Sequence, residues 1–347
     1  MTAVRPREAA LPTGPAATAP AEHRGSGRDD VRLLVSRPDG VTACRFRDLP
    51  ELLVPGDLVV VNTSATLPAA LDGRLPDGRS RPVHVSGQLD DGGWLVEVRR
   101  SDGSGPELDL SRGTAVRVTG GLRLALREPY PDPRADRTRL WRAEPDRPTS
   151  AAAHLGRHGR PVTYGEPAQR FPLADHQTVF ADEPGSAEMA SARRPFTAEI
   201  VLRLAVRGVP VVPVVLHAGV SSPELHEPPA PERFAVPGPT AAVVEATRAS
   251  GGRVVAVGTT VTRALESAAD ERGAVRAARG WTDLVLGPDR PARVVTGLVS
   301  GLHAPEASHL QLLEAVAGAD AVRRTYAAAA REGLLWHEFG DSTLFVP

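Results

Sequence analysis

The stretch G-G-R-V-V-A-V-G-T-T-V-T-R-A-L-E-S, Gly251 to Ser267, decides how the rest of the chain is read. Arg253 to Val257 is a short β-branched run bounded by glycine and without internal charge, the pattern of a strand buried on both faces. Gly258 allows a close turn, and Thr259 or Thr260 is placed to cap a helix that carries Arg263 and Glu266 in its first turns. A strand running through Gly-Thr-Thr into a helix start leaves amide groups free, where a carboxylate or phosphate can rest. The same residues also serve an ordinary strand-turn-helix corner, so the reading depends on what surrounds them.

Outward from this corner, strand and helix alternate. Thr197 to Arg207 has a helical period with Ile200, Val201, Leu204 and Ala205 on one face, and it leads into a strand at Val209 to Leu216. Ala241 to Ala249 predicts the helix that feeds the central strand. Strands are expected at Asp283 to Leu286 and Arg293 to Val299, helices at Leu310 to Val316 and Ala319 to Arg331, and a last strand between Trp336-His337 and Val346. On the N-terminal side, Val31 to Val35 reads as a strand and Phe46 to Leu53 as a short helix or turn. The apolar strand Leu58 to Val61 ends at Asn62-Thr63-Ser64, where an α/β sheet presents its ligands.

Between about residues 66 and 145 the texture changes. Short alternating segments, Pro82 to Val85, Trp94 to Arg99, Ala115 to Val118, Leu122 to Leu126 and Arg139 to Arg142, are separated by D-G, D-D-G-G and G-G turns. These predict antiparallel hairpins closing into a small barrel. The expected fold class is α/β, a large α/β domain interrupted by a small antiparallel β-barrel. The expected division is a mobile tail over 1–24, rich in Ala, Pro and Thr, a discontinuous large domain over 25–65 and 150–347, and an inserted barrel domain over 66–149.

Composition narrows the function. With 347 residues, 41% hydrophobic and 24% charged, the chain has the make-up of a globular protein. No apolar run approaches the roughly 20 residues of a membrane helix, and the N-terminus lacks a signal-peptide core, so no membrane partner and a cytoplasmic location are expected. A net charge of -1 argues against a generally cationic nucleic-acid binder; any RNA must be met by a local Arg face. The single cysteine, Cys44, reads as a buried strand thiol. His154 and His158 share a helical spacing, but no Cys or carboxylate cluster follows, so no metal is expected. Walker, G-x-G-x-x-G and G-x-S-x-G motifs are missing, which disfavours nucleoside triphosphates, dinucleotides and a hydrolase elbow.

Taken in order, several runs resemble one family, the S-adenosylmethionine:tRNA ribosyltransferase-isomerases of queuosine biosynthesis. They are R-D-D-V-R-L-L-V from Arg28, P-G-D-L-V-V-V-N from Pro55 followed by Leu67-Pro68-Ala69, H-Q-T-V-F-A from His176, L-H-A-G from Leu216, the Gly251 stretch, L-H-A-P from Leu302, and F-G-D from Phe339. The A-V-G-T-T-x-x-R-x-L-E-S run is the most specific. The resemblance implies a large α/β domain with an inserted barrel. It also implies transfer and isomerisation of the ribosyl group of S-adenosylmethionine onto the 7-aminomethyl-7-deazaguanine base at the tRNA wobble position, giving epoxyqueuosine with release of adenine and methionine and without a metal. The expected partner is the tRNA anticodon base, and the chain is expected to be a monomer.

Such a site needs a holder for the methionyl carboxylate, a group that removes a proton beside the sulfonium, and a pocket for an unstacked base. Gly258, Thr259, Thr260 and Arg263, with Asn62, are the candidates for the donor. His217, which ends a strand, His303, in the matching L-H-A-P turn, and Glu266 are the candidates for proton transfer, although Glu266 also reads as the partner of Arg263. Gln177, Thr178, Arg193, Arg194 and Asp341 are candidates for the acceptor. The chain also departs from the family. N-D-T-R-V-I-P-A-R-L is here N-T-S-A-T-L-P-A-A-L, so Thr63, Ala65 and Ala70 replace a carboxylate and two arginines. A-A-P-T-A-G-L-H-F is E-M-A-S-A-R-R-P-F, with Pro195 for the histidine. G-L-G-T-F becomes Gly219-Val220-Ser221-Ser222-Pro223, and T-N-F-H-L-P becomes Ser300 to Pro305. Each charge-assisted hydrogen bond removed by such a replacement is worth roughly 1.5–3 kcal/mol. Two further readings therefore stand beside the first: a diverged paralogue using a sulfonium or nucleoside pocket on another small molecule, and a non-catalytic RNA- or protein-binding relative.

Overall fold

The computed structural model describes residues 11–164, 169–221, 227, 229–304, 309–336 and 338–347. Met1 to Ala10 of the expected tail, Ser222 and Pro223, Pro305 and His337 lie outside these residues.

The central run Val254–Val257 is a strand in the middle of a nine-stranded sheet. Across that sheet the order is Ala278–Thr282, Glu232–Val236, Val211–Leu216, Leu58–Asn62, Val254–Val257, Gly297–Gly301, Ser342–Phe345, Arg32–Arg37 and Gly40–Arg45. The four strands from Val211–Leu216 to Gly297–Gly301 are mutually parallel. Side chains of a strand alternate between faces, so a run buried on both must be apolar throughout. Val254 and Ala256 enter one core, with Leu58, Val60 and the helices Gly238–Ala249, Thr259–Ser267 and Ala319–Arg331. Val255 and Val257 enter the other, with Val59, Val61, Phe46, Phe196, Ile200 and Leu204. Each buried valine contributes about 1.5–3 kcal/mol relative to exposure.

The alternating segments close into a six-stranded barrel, in the order Leu140–Pro145, Trp94–Val98, Ser80–Gln88, Ala70–Arg74, Ala115–Val118 and Leu122–Tyr130. Along the last of these, Leu122, Leu124 and Leu126 point inward and pack with Trp94, Val96 and Val83. Two short segments tie the barrel to the sheet. Ser64–Thr66 leaves the central sheet and pairs in parallel with Glu183–Ser186, and the amides of Ala70 and Arg160 exchange hydrogen bonds with each other's carbonyls at 2.9 Å.

Several expectations are corrected. Residues 11–24 are not a free tail: Leu11 and Ala21 are buried, and the main chain of Pro15 and Ala17 exchanges hydrogen bonds with Trp336 at 2.8 Å. No strand forms at 283–286, because the Arg263 guanidinium takes the carbonyls of Thr282 and Leu284; the strand is Ala278–Thr282. The expected strand from Arg293 begins only at Gly297, since the Glu266 carboxylate receives the amides of Arg293, Val294 and Val295. The last strand is Ser342–Phe345. In the helix Ala198–Val206 the face expectation fails at Ala205, which is exposed while Ile200 and Leu204 are buried. Cys44 lies half-buried on the edge strand Gly40–Arg45, and burial pushes its thiol up.

At the foot of the two central strands Asp57 is buried and carries both Arg253 and the Val54 amide. Burial raises its carboxyl, but the guanidinium and the amides outweigh it, and the group titrates below the ordinary range. Its contribution is complete above the unfolded value of about 3.9 and is lost as pH falls through the lower folded value. Asp57→Ala is expected to cost about 3 kcal/mol at pH 7 and distinctly less at pH 3, measured by urea unfolding; equal losses at both would refute this. Glu266→Ala, which strands three amides, is expected to cost about 3 kcal/mol or more in the same measurement.

Candidate active site

A hollow of about 740 Å³ opens between the barrel and the C-terminal ends of the parallel strands. From the sheet side it is lined by His217 after Val211–Leu216, by Gly258, Thr259 and Thr260 after Val254–Val257, and by Ser300 and His303 at the end of Gly297–Gly301. Ser86 and Leu95 face it from the barrel, Trp281 from the edge strand Ala278–Thr282, and Tyr164, Glu188 and Glu338 from the connecting segments. Volumes of this order suit a small-molecule or nucleoside ligand.

Gly258 makes the corner possible. Its φ of 91° is disfavoured for any residue with a Cβ, and its own amide donates to the Val299 carbonyl at 2.8 Å. The helix Thr259–Ser267 starts immediately after it, with Gly258 itself as the cap and no side-chain cap bond, so neither threonine has the capping role. Helix geometry leaves the first-turn amides without intrahelical acceptors, and the dipole adds positive potential there. Asn62 does not line the hollow. It is fully buried, with Oδ1 accepting from the amides of Ser64 and Leu216 and Nδ2 donating to the Leu216 carbonyl and, at 3.3 Å, to Thr260 Oγ1. It therefore positions Thr260 from behind.

Arg263 reaches the wall of the hollow, but its charge is met by Glu232 and two further donors by the Leu284 and Thr282 carbonyls. The expected Arg263–Glu266 pair does not form. Glu266 is turned away from the hollow into the amides of residues 293–295, with Arg290 at 3.5 Å.

The histidines stand differently. His217 Nδ1 lies 2.7 Å from Ser64 Oγ, which is 2.7 Å from Ser186 Oγ, and its Nε2 lies 3.3 Å from Glu183. A side chain at Gly185 would run into the His217 ring, so this glycine lets the Glu183–Ser186 strand lie against it. Burial lowers the ring's pKa more than Glu183 raises it, which favours the neutral form near pH 7. His303 Nε2 is 3.0 Å from Ser300 Oγ, and its ring stacks on His309 at 4.8 Å. Burial, with Arg263 nearby, brings His309 down to about 4.

The acceptor candidates lie outside the lining. Gln177 brackets Thr66, accepting its amide at 3.0 Å and donating to its carbonyl at 2.7 Å, and Thr178 is buried. Arg193 is buried beneath Asn62 and Ser64 and donates to both carbonyls; burial pulls it down to about 10. Arg194 pairs with Glu22 at 3.1 Å and lies over Phe339 at 5.0 Å. Asp341 accepts the amides of Arg32 and Leu335, each at 2.8 Å. Tyr164, Glu188, Ser221, Trp281, His309 and Glu338 line the hollow without having been given a site role from the sequence. Tyr164, Glu188, Ser221 and Glu338 come from segments with no periodicity to read, while Trp281 lies on the edge strand Ala278–Thr282 and His309 opens the helix His309–Ala317. Among the described residues no group of three or more His, Cys, Asp or Glu is placed to hold a metal, and no helix is long and apolar enough to cross a membrane.

Comparison with known proteins gives the same frame. Residues 8–345 match the family described as Queuosine biosynthesis protein. The S-adenosylmethionine:tRNA ribosyltransferase-isomerase of Acidiphilium cryptum is 35% identical over 332 residues, covering 91% of this chain and 92% of its own. The protein of the same name from Thermus thermophilus is 34% identical over 336 residues, covering 92% and 93%. A crystal structure of S-adenosylmethionine tRNA ribosyltransferase from Thermotoga maritima is similar with a TM-score of 0.53 and 27% identity, over 97% of this chain and 99% of that one. With a match running nearly end to end and a shared architecture, the chain belongs to the queuosine biosynthesis protein family.

Proposed function

We propose that this protein is an S-adenosylmethionine-dependent tRNA ribosyltransferase-isomerase. It moves the ribosyl group of S-adenosylmethionine onto the 7-aminomethyl-7-deazaguanine base of tRNA and isomerises it to epoxyqueuosine. The observation that carries this reading is the hollow at the strand ends, where the Gly258 corner and His217 face one space within a chain of this family.

The residues present suit the donor. The first-turn amides at Thr259 and Thr260 form a cup for its carboxylate, and Asn62 fixes the Thr260 side chain. When bound, the donor supplies a sulfonium that makes the neighbouring carbon acid enough to lose a proton. His217 is the group to take that proton: it is neutral near pH 7, its ring is oriented through Ser64, and the imidazolium is stabilised by Glu183. His303, oriented by Ser300, lines the same hollow and is the second proton-transfer candidate. Glu266, Arg193, Gln177, Thr178 and Asp341 act on this reading as scaffold, and Arg263 holds Glu232 and the 282–284 backbone. The cytoplasm is where such a substrate is met. The replaced residues Thr63, Ala65 and Ala70 favour one competing reading, the same pocket serving another small-molecule acceptor.

Incubation with S-adenosylmethionine and tRNA carrying the aminomethyl base is expected to release adenine and to yield epoxyqueuosine on nucleoside analysis. Adenine release with no modified nucleoside supports the other acceptor, and no adenine above a protein-free control overturns the enzymatic reading. His217→Asn is expected to lower kcat by about 10²–10⁴ with little change in melting temperature. Because burial holds the His217 pKa below the usual value of about 6.5, wild-type turnover should persist somewhat below pH 6.5 and fall on further acidification. An acid limb unchanged in His217→Asn would remove this histidine from the proton transfer.

A further inference from the structure

The reading above leaves two carboxylates in the hollow without a task. Glu188 follows the Glu183–Ser186 strand and Glu338 precedes the final strand, and both line the cavity. Glu188 is held through a single oxygen: Oε1 accepts from the Tyr164 hydroxyl, from the Ser221 amide at 2.6 Å and from Ser221 Oγ at 3.1 Å. Three donors on one oxygen fix the direction of the other. Among the described residues Glu338 makes no hydrogen bond or ion pair.

The described cations of the wall and its surroundings are already engaged. Arg263 is paired with Glu232 and Arg233 with Asp90, while Arg139 is paired with Glu97 and Glu227. Burial, and then the Glu188 charge, push Glu338 up to about 7, and burial likewise raises Glu188. Tyr164 and Glu97 act on Glu188, with Arg99 over the Tyr164 ring at 4.8 Å, and the titratable groups that share the hollow's wall with the pair include His217, His303 and His309. Two carboxylates facing one hollow, with the neighbouring cations paired elsewhere, repel each other and lack counter-charge, a state relieved by a cation bearing several N–H donors.

We propose that Glu188 and Glu338 are the seat of a protonated primary amine carried by the ligand of this hollow. An ammonium offers three donors, enough for the directed oxygen of Glu188 and for Glu338 together. The assignment rests on the function proposed above, in which such a group has two sources: the aminomethyl arm of the acceptor base and the methionyl amine of the donor.

Isothermal titration with the full-length protein near pH 7 tests it, using two pairs of probes. One pair is 7-aminomethyl-7-deazaguanine and the same base with methyl in place of aminomethyl; the other is S-adenosylmethionine and its deaminated analogue. In one pair the amine-bearing member is expected to bind Glu188→Gln and Glu338→Gln roughly ten- to a hundredfold more weakly than wild type, while its amine-free partner binds all three alike. The pair that shows this identifies the source. Since the bound cation favours the ionised carboxylate, its binding should release protons near pH 7, seen as an enthalpy that depends on the buffer's ionisation heat. Glu338→Gln should abolish that release, and Glu338→Asp should restore part of it. Equal affinities of the variants for every probe, or no wild-type preference for either amine, overturn the seat. A wild-type protein that discriminates the amines yet releases no adenine retains the seat and fails the proposed reaction instead.

Discussion

The carboxamide of Asn62 is the fastening on which the site depends. It lies where the chain leaves the central sheet for the barrel, and its four hydrogen bonds join the Leu58–Asn62 strand end, the Val211–Leu216 strand end and the threonine after the Gly258 turn. A buried amide is tolerated only when nearly all of its donors and acceptors are used, and here they are used between elements far apart in sequence. The geometry that brings His217 and Thr260 to one hollow is thus set by a side chain that does not face it.

Other buried polar groups do similar work. Arg193 donates to the carbonyls of the Ser64–Thr66 crossing, Arg263 to the loop beyond the edge strand, and Glu266 receives the approach to Gly297–Gly301. Each replaces a stretch of sheet ladder with a side chain. The backbone can then leave regular pairing close to the hollow without stranding polar groups. This explains why charges that a sequence reading assigns to ligands are so often spent on the main chain.

The architecture was legible where periodicity carried it. Val254–Val257, Leu58–Asn62, Ala319–Arg331 and the hairpins of the barrel announce themselves by burial pattern and turn chemistry. Ser64–Thr66 and Glu183–Ser186 do not, since each is a strand only because the other lies beside it. The Gly258 corner, His217 and His303 were readable from their place at strand ends. Arg263 and Glu266, three residues apart, read as a pair because local spacing is all that a sequence displays; the fold gives each a distant partner instead. Glu188 and Glu338 sit in aperiodic connections, and only tertiary structure puts them in one space.

The two bodies make unequal demands on synthesis. The barrel is drawn from one uninterrupted run, Ala70 to Pro145, and can close while the ribosome is still at work. The middle of the sheet pairs Leu58 with Val254, and the strand Gly297–Gly301 needs Ser342–Phe345 beside it. The Leu58–Asn62 segment must therefore wait, apolar and unpaired, while the whole barrel after it is made, until Val211–Leu216 can join one side and, later still, Val254–Val257 the other. Whatever guards that nascent strand from misassociation, whether the exit port or a chaperone, guards the half of the molecule that bears the chemistry.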